Sequence, residues 1–272
     1  MGDFPERDIA KGMKLTGTKV ERLSLEIRGH VARIALRNPP LNIIDIPMMD
    51  ELASAFAEIE AQLEVSIIVI RGEGNCFSAG VDVAAHTPDK VVSMLEKFHR
   101  VIRSLIATKK VTIAAVQGHC LGGGAELAMV CDLVYTTEDA QWGFPEIQLG
   151  CFPPVAVTAL SALIGQKRAS DLILTGRTIR GVEAAAIGLA NSAVIDTRLE
   201  NAVDETIKRL SALSPAALVL ANKAIYAWDS MHFDKGLARA EKIYLDELMK
   251  TEDANEGIRA FMEKRQPRWS GR

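Results

Sequence analysis

Two unbroken apolar runs, "SIIVIRG" from Ser66 and "VTIAAVQG" from Val111, constrain this chain most. Both are rich in β-branched residues and lack the alternation of a half-exposed strand. Such runs form strands buried on both faces of a sheet, the situation of parallel strands covered by helices. Each run leads into a glycine-punctuated loop and then a helical pattern. After the first come "EGNCFSAGVD" and a helix over 88–108, with Val92, Met94, Leu95, Phe98, Ile102 and Leu105 apolar. After the second come Gly122, Gly123, Gly124 and a helix from Ala125.

The flanking segments extend the pattern. Leu23, Leu25 and Ile27 alternate with Arg22, Ser24, Glu26 and Arg28, the period of a half-buried strand. Gly29 and His30 make a turn, and "VARIAL" returns as a second strand of a hairpin. After the loop "RNPPLNIID", Pro47 opens a helix with Met49, Leu52, Phe56 and Ile59 on one face. "DLVYTT" reads as another strand, and a helix follows near 155–164. Strand, loop and helix alternate, so the expected class is α/β with mostly parallel strands. Past Ser211 the strand signal ends. "SPAALVLANKAIYAWDS" and the segment from Phe233 to Lys264 both read as helix. The expected division is a core over 1–210 and a helical region over 211–272.

Composition narrows the function. Of the 272 residues, 48% are apolar, enough for a sizeable core, and the net charge is −3. That charge argues against a nucleic-acid partner, which usually meets a more basic surface. The start "MGDFPERDIAKGMK" has no apolar leader pattern, and no run of 18 apolar residues occurs. A cytoplasmic protein with no membrane partner is expected. Cys76, Cys120, Cys131 and Cys151 form no C-x-x-C pair, so neither a metal site nor a disulfide framework is expected.

The loops carry the chemistry. Glycines between a buried strand and a helix start allow close backbone approach, and the helix start leaves N–H groups unpaired. They also suit a tight turn with no ligand. "CFSAGVD" puts Gly80 at the end of the other buried strand, and ligands of α/β sheets sit at such strand ends. Two such loops can aim two N–H groups at one oxygen, the geometry of an oxyanion hole. Glu126 lies in the first turn after the glycines, as a dipole-complementing acid or as a working carboxylate. Glu146 sits beside Trp142, Phe144 and Pro145, as a loop acid or as a general acid raised by apolar surroundings. Ser78 has no G-x-S-x-G elbow around it, which disfavours a serine nucleophile.

In order, "CFSAGVD", "VQGHCLGGGAELAMVCD", "AQWGFPEIQLG" and "ILTGRTIRGVEAAAIGLANSAV" resemble the crotonase, or enoyl-CoA hydratase/isomerase, superfamily. The similarity spans roughly residues 22–265. It implies a spiral of ββα turns with a C-terminal helical region that builds homotrimers, often paired into hexamers. It implies an acyl-CoA substrate and no cofactor beyond that CoA. By motif position, the oxyanion N–H groups are those of Val81 and Gly123, and the catalytic acids are Glu126 and Glu146. Ser78, Ala79, Gly80, Asp82, Gly122, Phe152, Pro153 and Pro154 are expected around the substrate, with Asp82 also capping or orienting its loop. Phe261 and Lys264 are expected to contact CoA by the same analogy. His86, six residues past Gly80, reads as a surface residue or as a polar group near the substrate or CoA. The sequence does not assign which glutamate is acid and which is base.

One departure matters. Where common hydratases carry a glycine-rich "PGAGGTQRL"-like stretch, this chain has "CFPPVAVTALSALIG". "PPLNIIDIPMMDEL", "FSAGVDVAAH" and "PEIQLGCFPPVA" resemble the cyclohexa-1,5-diene-1-carbonyl-CoA hydratases of aromatic degradation. The expected function is therefore a hydro-lyase adding water to a conjugated enoyl- or dienoyl-CoA. A generic short-chain enoyl-CoA hydratase/isomerase, a CoA-ester hydrolase and a non-catalytic or RNA-binding member are the alternatives.

Overall fold

The structure, a computed structural model, describes residues 22–226 and 229–271. The N-terminal segment whose leaderless pattern was read above lies outside them. Strands β1 (Leu23–Arg28) and β2 (Val31–Leu36) form the expected antiparallel hairpin. Helix α1 (Ile46–Ala61) follows, its N-terminus capped by Asp45, whose Oδ1 accepts from Met48 N at 2.9 Å. Then come β3 (Ile67–Gly72), α2 (Val91–Ala107), β4 (Val111–Val116), β5 (His119–Leu121), α3 (Gly123–Met129), β6 (Leu133–Thr137) and β7 (Gln141–Gly143). Helices α4 (Pro154–Ile164) and α5 (Gln166–Thr175), strand β8 (Thr178–Arg180), helix α6 (Gly181–Ala186) and strand β9 (Ser192–Val194) complete the mixed part.

The main sheet has the order β1-β2-β3-β4-β6-β9, parallel from β2 onward. Its central strands β3 and β4 bury both faces, as their unbroken apolar runs require. Ile68, Ile70, Ala114 and Val116 join the large core beneath α1 and α2. Their alternating neighbours Ile67, Val69, Ile113 and Ala115 pack on the other face against Leu199 and Val203.

A second, smaller row runs in the same order. Ile44 bridges Val81, Ser78 bridges Cys120, Cys120 pairs with Trp142, and Trp142 pairs with Ile179. Each turn of the chain thus adds one strand to the main sheet and one short segment to the side row, which makes a ββα spiral. The side row positions the site, because both glycine loops belong to it.

Helix α7 (Leu199–Ser211) covers the back of the sheet. Two expectations change. The helical stretch from Phe233 to Lys264 is broken. Helices α8 (Pro215–Tyr226) and α9 (Asp229–Asp246) are followed by a 3-10 turn over Leu248–Lys250, then by α10 (Glu252–Met262), capped by Thr251. On α2 the buried residue is Val91, and Val92 is 49% exposed, a shift of one position in helix phase. No described helix is long and apolar enough to cross a membrane.

Candidate active site

The loop after β3 is held rigidly. Ser78 is fully buried, donates from Oγ to Asn42 O at 2.8 Å and accepts from Gly80 N at 3.1 Å. The parallel bridge to Ile44 uses Gly80 O and Asp82 N, at 2.9 and 3.2 Å. A parallel bridge of this kind turns the intervening Val81 N–H to the opposite side. There it faces the other loop.

That loop ends β5. Gly122 has φ +51° and ψ −128°, a conformation L side chains rarely adopt. Gly123 begins α3, where the N–H has no acceptor one turn earlier. A Cβ on Gly123 would stand 3.4 Å from Val81 N and 2.5 Å from Val81 Cγ2. Only glycine lets the two loops approach this closely. Among the described residues, neither Val81 N–H nor Gly123 N–H has a backbone acceptor. Two adjacent unpaired donors are what an oxyanion requires.

Two carboxyls share the cavity beside these donors. Glu126, on α3, is 3% exposed. Its Oε1 accepts from Val155 N at 2.8 Å and Ala156 N at 2.9 Å, in the first turn of α4. Pro154 begins that helix and has no N–H to offer, so the next two residues donate. Glu146 lies in the 3-10 turn Pro145–Leu149, and its Oε2 is buried without a partner. Burial raises both carboxyls above the ordinary glutamate range. For Glu126 the two backbone N–H groups oppose the rise. For Glu146 the neighbouring Glu126 charge adds to it. Glu146 therefore holds its proton more tightly than Glu126.

The cavity is about 80 Å³. Pockets that enclose a drug-sized ligand run to roughly 300–1,000 Å³, so this one fits the reacting end of a larger molecule. Ala79, Gly80, Val81, Gly122, Gly123, Glu126, Glu146, Phe152, Pro153 and Pro154 all line it. Ser78 and Asp82 do not. Ser78 braces the loop by the bonds above, and Asp82 Oδ1 accepts from Ala84 N at 3.0 Å to cap the turn Val83–His86. Of the two readings of His86, the structure places it at the cavity, with Nδ1 3.1 Å from Asp82 O. Phe261 is 53% exposed, Lys264 is exposed too, and neither lines the cavity. A larger groove of about 880 Å³ lies among Glu256, Arg259 and Arg265, which pair with one another; it holds neither glutamate of the site.

Several lining residues escaped the sequence reading, among them His99, Tyr244 and Met94. His99 occupies the apolar stripe of α2, four residues after Leu95 and three before Ile102. A polar residue at that phase was the available signal. Tyr244, on α9, and Met94, on α2, complete the wall.

Residues 26–272 match the enoyl-CoA hydratase/isomerase family. The chain is 36% identical over 251 residues to cyclohexa-1,5-dienecarbonyl-CoA hydratase of Thauera aromatica, covering 91% of this chain and 96% of that one. It is 35% identical over 258 residues to a probable enoyl-CoA hydratase of Bacillus subtilis, covering 92% and 98%. Among solved structures, an enoyl-CoA hydratase from Mycobacterium avium subsp. paratuberculosis superposes with a TM-score of 0.84 at 26% identity, over 93% of this chain and 100% of that one. With the spiral fold, the paired N–H groups and these matches in hand, the chain belongs to the enoyl-CoA hydratase/isomerase family.

Proposed function

We propose that the protein adds water to a conjugated enoyl-CoA thioester, and that its preferred acyl group is a cyclic diene, cyclohexa-1,5-diene-1-carbonyl-CoA. The observation that carries the hydration reading is one cavity holding two carboxyls, Glu126 buried and Glu146 half-buried with a buried Oε2, beside two unpaired backbone N–H groups.

The thioester oxygen accepts from Val81 N–H and Gly123 N–H. Conjugation passes electron density from the alkene to that oxygen as water attacks the β-carbon. Charge builds where the donors already point, so little reorganisation is needed. Glu126 is the base: two N–H groups at the start of α4 stabilise its ionised form. Glu146 is the acid: its Oε2 is buried without a partner, and it faces the charge of Glu126. One takes a proton from water while the other gives one to carbon, and the reverse steps dehydrate the alcohol. The chemistry needs no cofactor besides the substrate's own CoA.

The diene preference draws on the Thauera relative and on the Phe152–Pro154 wall. The Bacillus relative supports ordinary enoyl-CoA hydration instead. Offering crotonyl-CoA and cyclohexa-1,5-diene-1-carbonyl-CoA separately, with products followed by mass, decides between them. Water gained on the diene, with little turnover of crotonyl-CoA, is the expected result. The reverse preference returns the protein to ordinary hydration. Free CoA from either thioester makes it a hydrolase.

We further propose a homotrimer or a hexamer of paired trimers. Leu213, Leu220 and Ile225 are 54%, 65% and 69% exposed, an apolar surface on and just before α8 that self-association would cover. Light scattering of the purified protein tests this.

A further inference from the structure

The two carboxyls of the site are held in different ways. Glu126 Oε1 accepts from two backbone N–H groups of α4, whereas Glu146 Oε2 is buried without a partner. With no bond to fix that oxygen, the Glu146 carboxyl stands where the backbone of its turn, Pro145–Leu149, puts it. On one side of the turn Gln148 Nε2 donates to Gly176 O at 3.1 Å. On the other side the turn lies directly against α10.

That second contact is backbone on backbone. A Cβ on Gly257, in α10, would stand 2.2 Å from the carbonyl oxygen of Leu149, the last residue of the turn. A Cβ on Gly150, which caps the turn with φ +69°, would stand 2.9 Å from Asp253 O. One glycine on each side lets α10 and the turn approach more closely than side chains allow. With no flexible side chain between them, a shift of α10 is passed on to the turn.

A further segment ties α10 down. Asp253 lies in its first turn. Asp253 Oδ1 accepts from Ser270 N at 2.6 Å and from Ser270 Oγ at 3.0 Å, and Oδ2 accepts from Gly271 N at 2.9 Å. Both oxygens of one carboxylate thus hold the returning chain across the helix. Trp269 immediately precedes these donors. Its Cη2 lies 3.0 Å from where a Gly257 Cβ would be, the same glycine that faces Leu149 O. The indole also lines a pocket of about 430 Å³ with Ile147, Gly150, Cys151 and Phe152. Cys151 and Phe152 line the cavity of the two glutamates as well. Trp269 is 49% exposed, so it lies over the seam between α10 and the turn from outside.

We infer that Trp269 and Asp253 are positioning residues: segment 269–271 straps α10 onto the turn of Glu146, and α10 keeps that carboxyl in line with Glu126 and the two N–H donors. This rests on the hydratase reading, in which Glu146 gives the proton, and adds residues outside the cavity that act through it.

Covering a seam also stabilises a fold, but stability alone does not depend on Glu146. A double-mutant cycle separates the two, because a residue that acts through Glu146 has nothing to act on once that carboxyl is gone. Trp269→Ala and Asp253→Asn are each made in the wild type and in Glu146→Gln. Hydration is followed with whichever of crotonyl-CoA and cyclohexa-1,5-diene-1-carbonyl-CoA the wild type turns over faster. In the wild-type background each change is expected to lower kcat about tenfold with KM nearly unchanged, the effect of a misplacement below 1 Å. In the Glu146→Gln background neither should change kcat by more than about twofold. Asp253→Asn replaces one acceptor by a donor facing Gly271 N–H. It is an isosteric change at a half-buried residue, so it carries the cycle if Trp269→Ala does not fold. Unchanged kcat in the folded variants overturns the strap. A loss of equal size in both backgrounds overturns it too, since that is general loosening. In either case the hydratase reading stands. If the wild type hydrates no CoA thioester, or Glu146→Gln is as active as wild type, the role of Glu146 falls and the strap falls with it.

Discussion

Gly122 lies directly beneath Glu146: a Cβ on the glycine would stand 2.5 Å from Glu146 Oε1. The glycine therefore does two things at once. It adopts a backbone conformation that opens α3, and it leaves room for the Glu146 carboxyl.

Gly122→Ala follows from that relationship. The new methyl must displace the Glu146 carboxyl, and the backbone must hold φ near +51° with a side chain present. Strain of this kind costs about 1–3 kcal/mol. Melting temperature should fall by several degrees, and kcat by at least about a hundredfold, the low end of an acid–base contribution. Wild-type kcat in a folded Gly122→Ala protein would remove Glu146 from the mechanism.

The two glutamates should separate in a pH profile. In the proposed scheme, activity needs Glu126 ionised and Glu146 protonated. Both are raised, so the acid limb, where Glu126 takes up a proton, should lie well above the ordinary 4.5. The alkaline limb reports loss of the Glu146 proton. These limbs belong to the coupled pair. Glu126→Gln and Glu146→Gln should each lower kcat by about 10²–10⁴ while leaving the far-ultraviolet spectrum unchanged. Near-normal hydration by both variants sinks the two-carboxyl scheme.

Stability should move the other way. A carboxyl whose folded value is raised favours the native state below its unfolded value, and that contribution is lost as pH rises through the folded value. Glu146 is such a group. Glu146→Gln removes the penalty of a buried charge beside Glu126, so the inactive variant should melt above wild type. The gap should be small at pH 5 and widen toward pH 9. A gap that narrows instead would show that Glu146 is not raised.

Strands β3 and β4 were legible because they are buried on both faces, which leaves an unbroken apolar run, and β1 because one buried face leaves an alternation. Strands β5, β7, β8 and β9 were not, since three residues are too few to show any period. The break between α9 and α10 did have a local signal: Thr251 is followed by Glu252 and Asp253, a cap and an acidic first turn. At the site, the glycines and glutamates stood out because each breaks a local pattern. Ser78 and Asp82 could not be sorted from substrate contacts, because only their hydrogen bonds show them bracing the loop. His99 was missed because its meaning depends on Glu241, 142 residues away.

Ser78 allows a last separation, between loop support and covalent chemistry. Its hydroxyl ties Asn42 O to Gly80 N, and Gly80 immediately precedes the Val81 donor. Ser78→Ala leaves both backbone groups buried without that partner, at a cost of about 1–3 kcal/mol. The loop should loosen, and an oxyanion donor held loosely does less than the roughly 10²–10³ of one fully in place. The expected result is a lower melting temperature and a kcat reduced about tenfold, with KM nearly unchanged. A nucleophile would behave differently: its removal would abolish turnover, and the wild-type protein would accumulate an acyl-enzyme visible by mass. Residual hydration by Ser78→Ala, with no covalent adduct on the wild type, assigns Ser78 to holding Val81 in position.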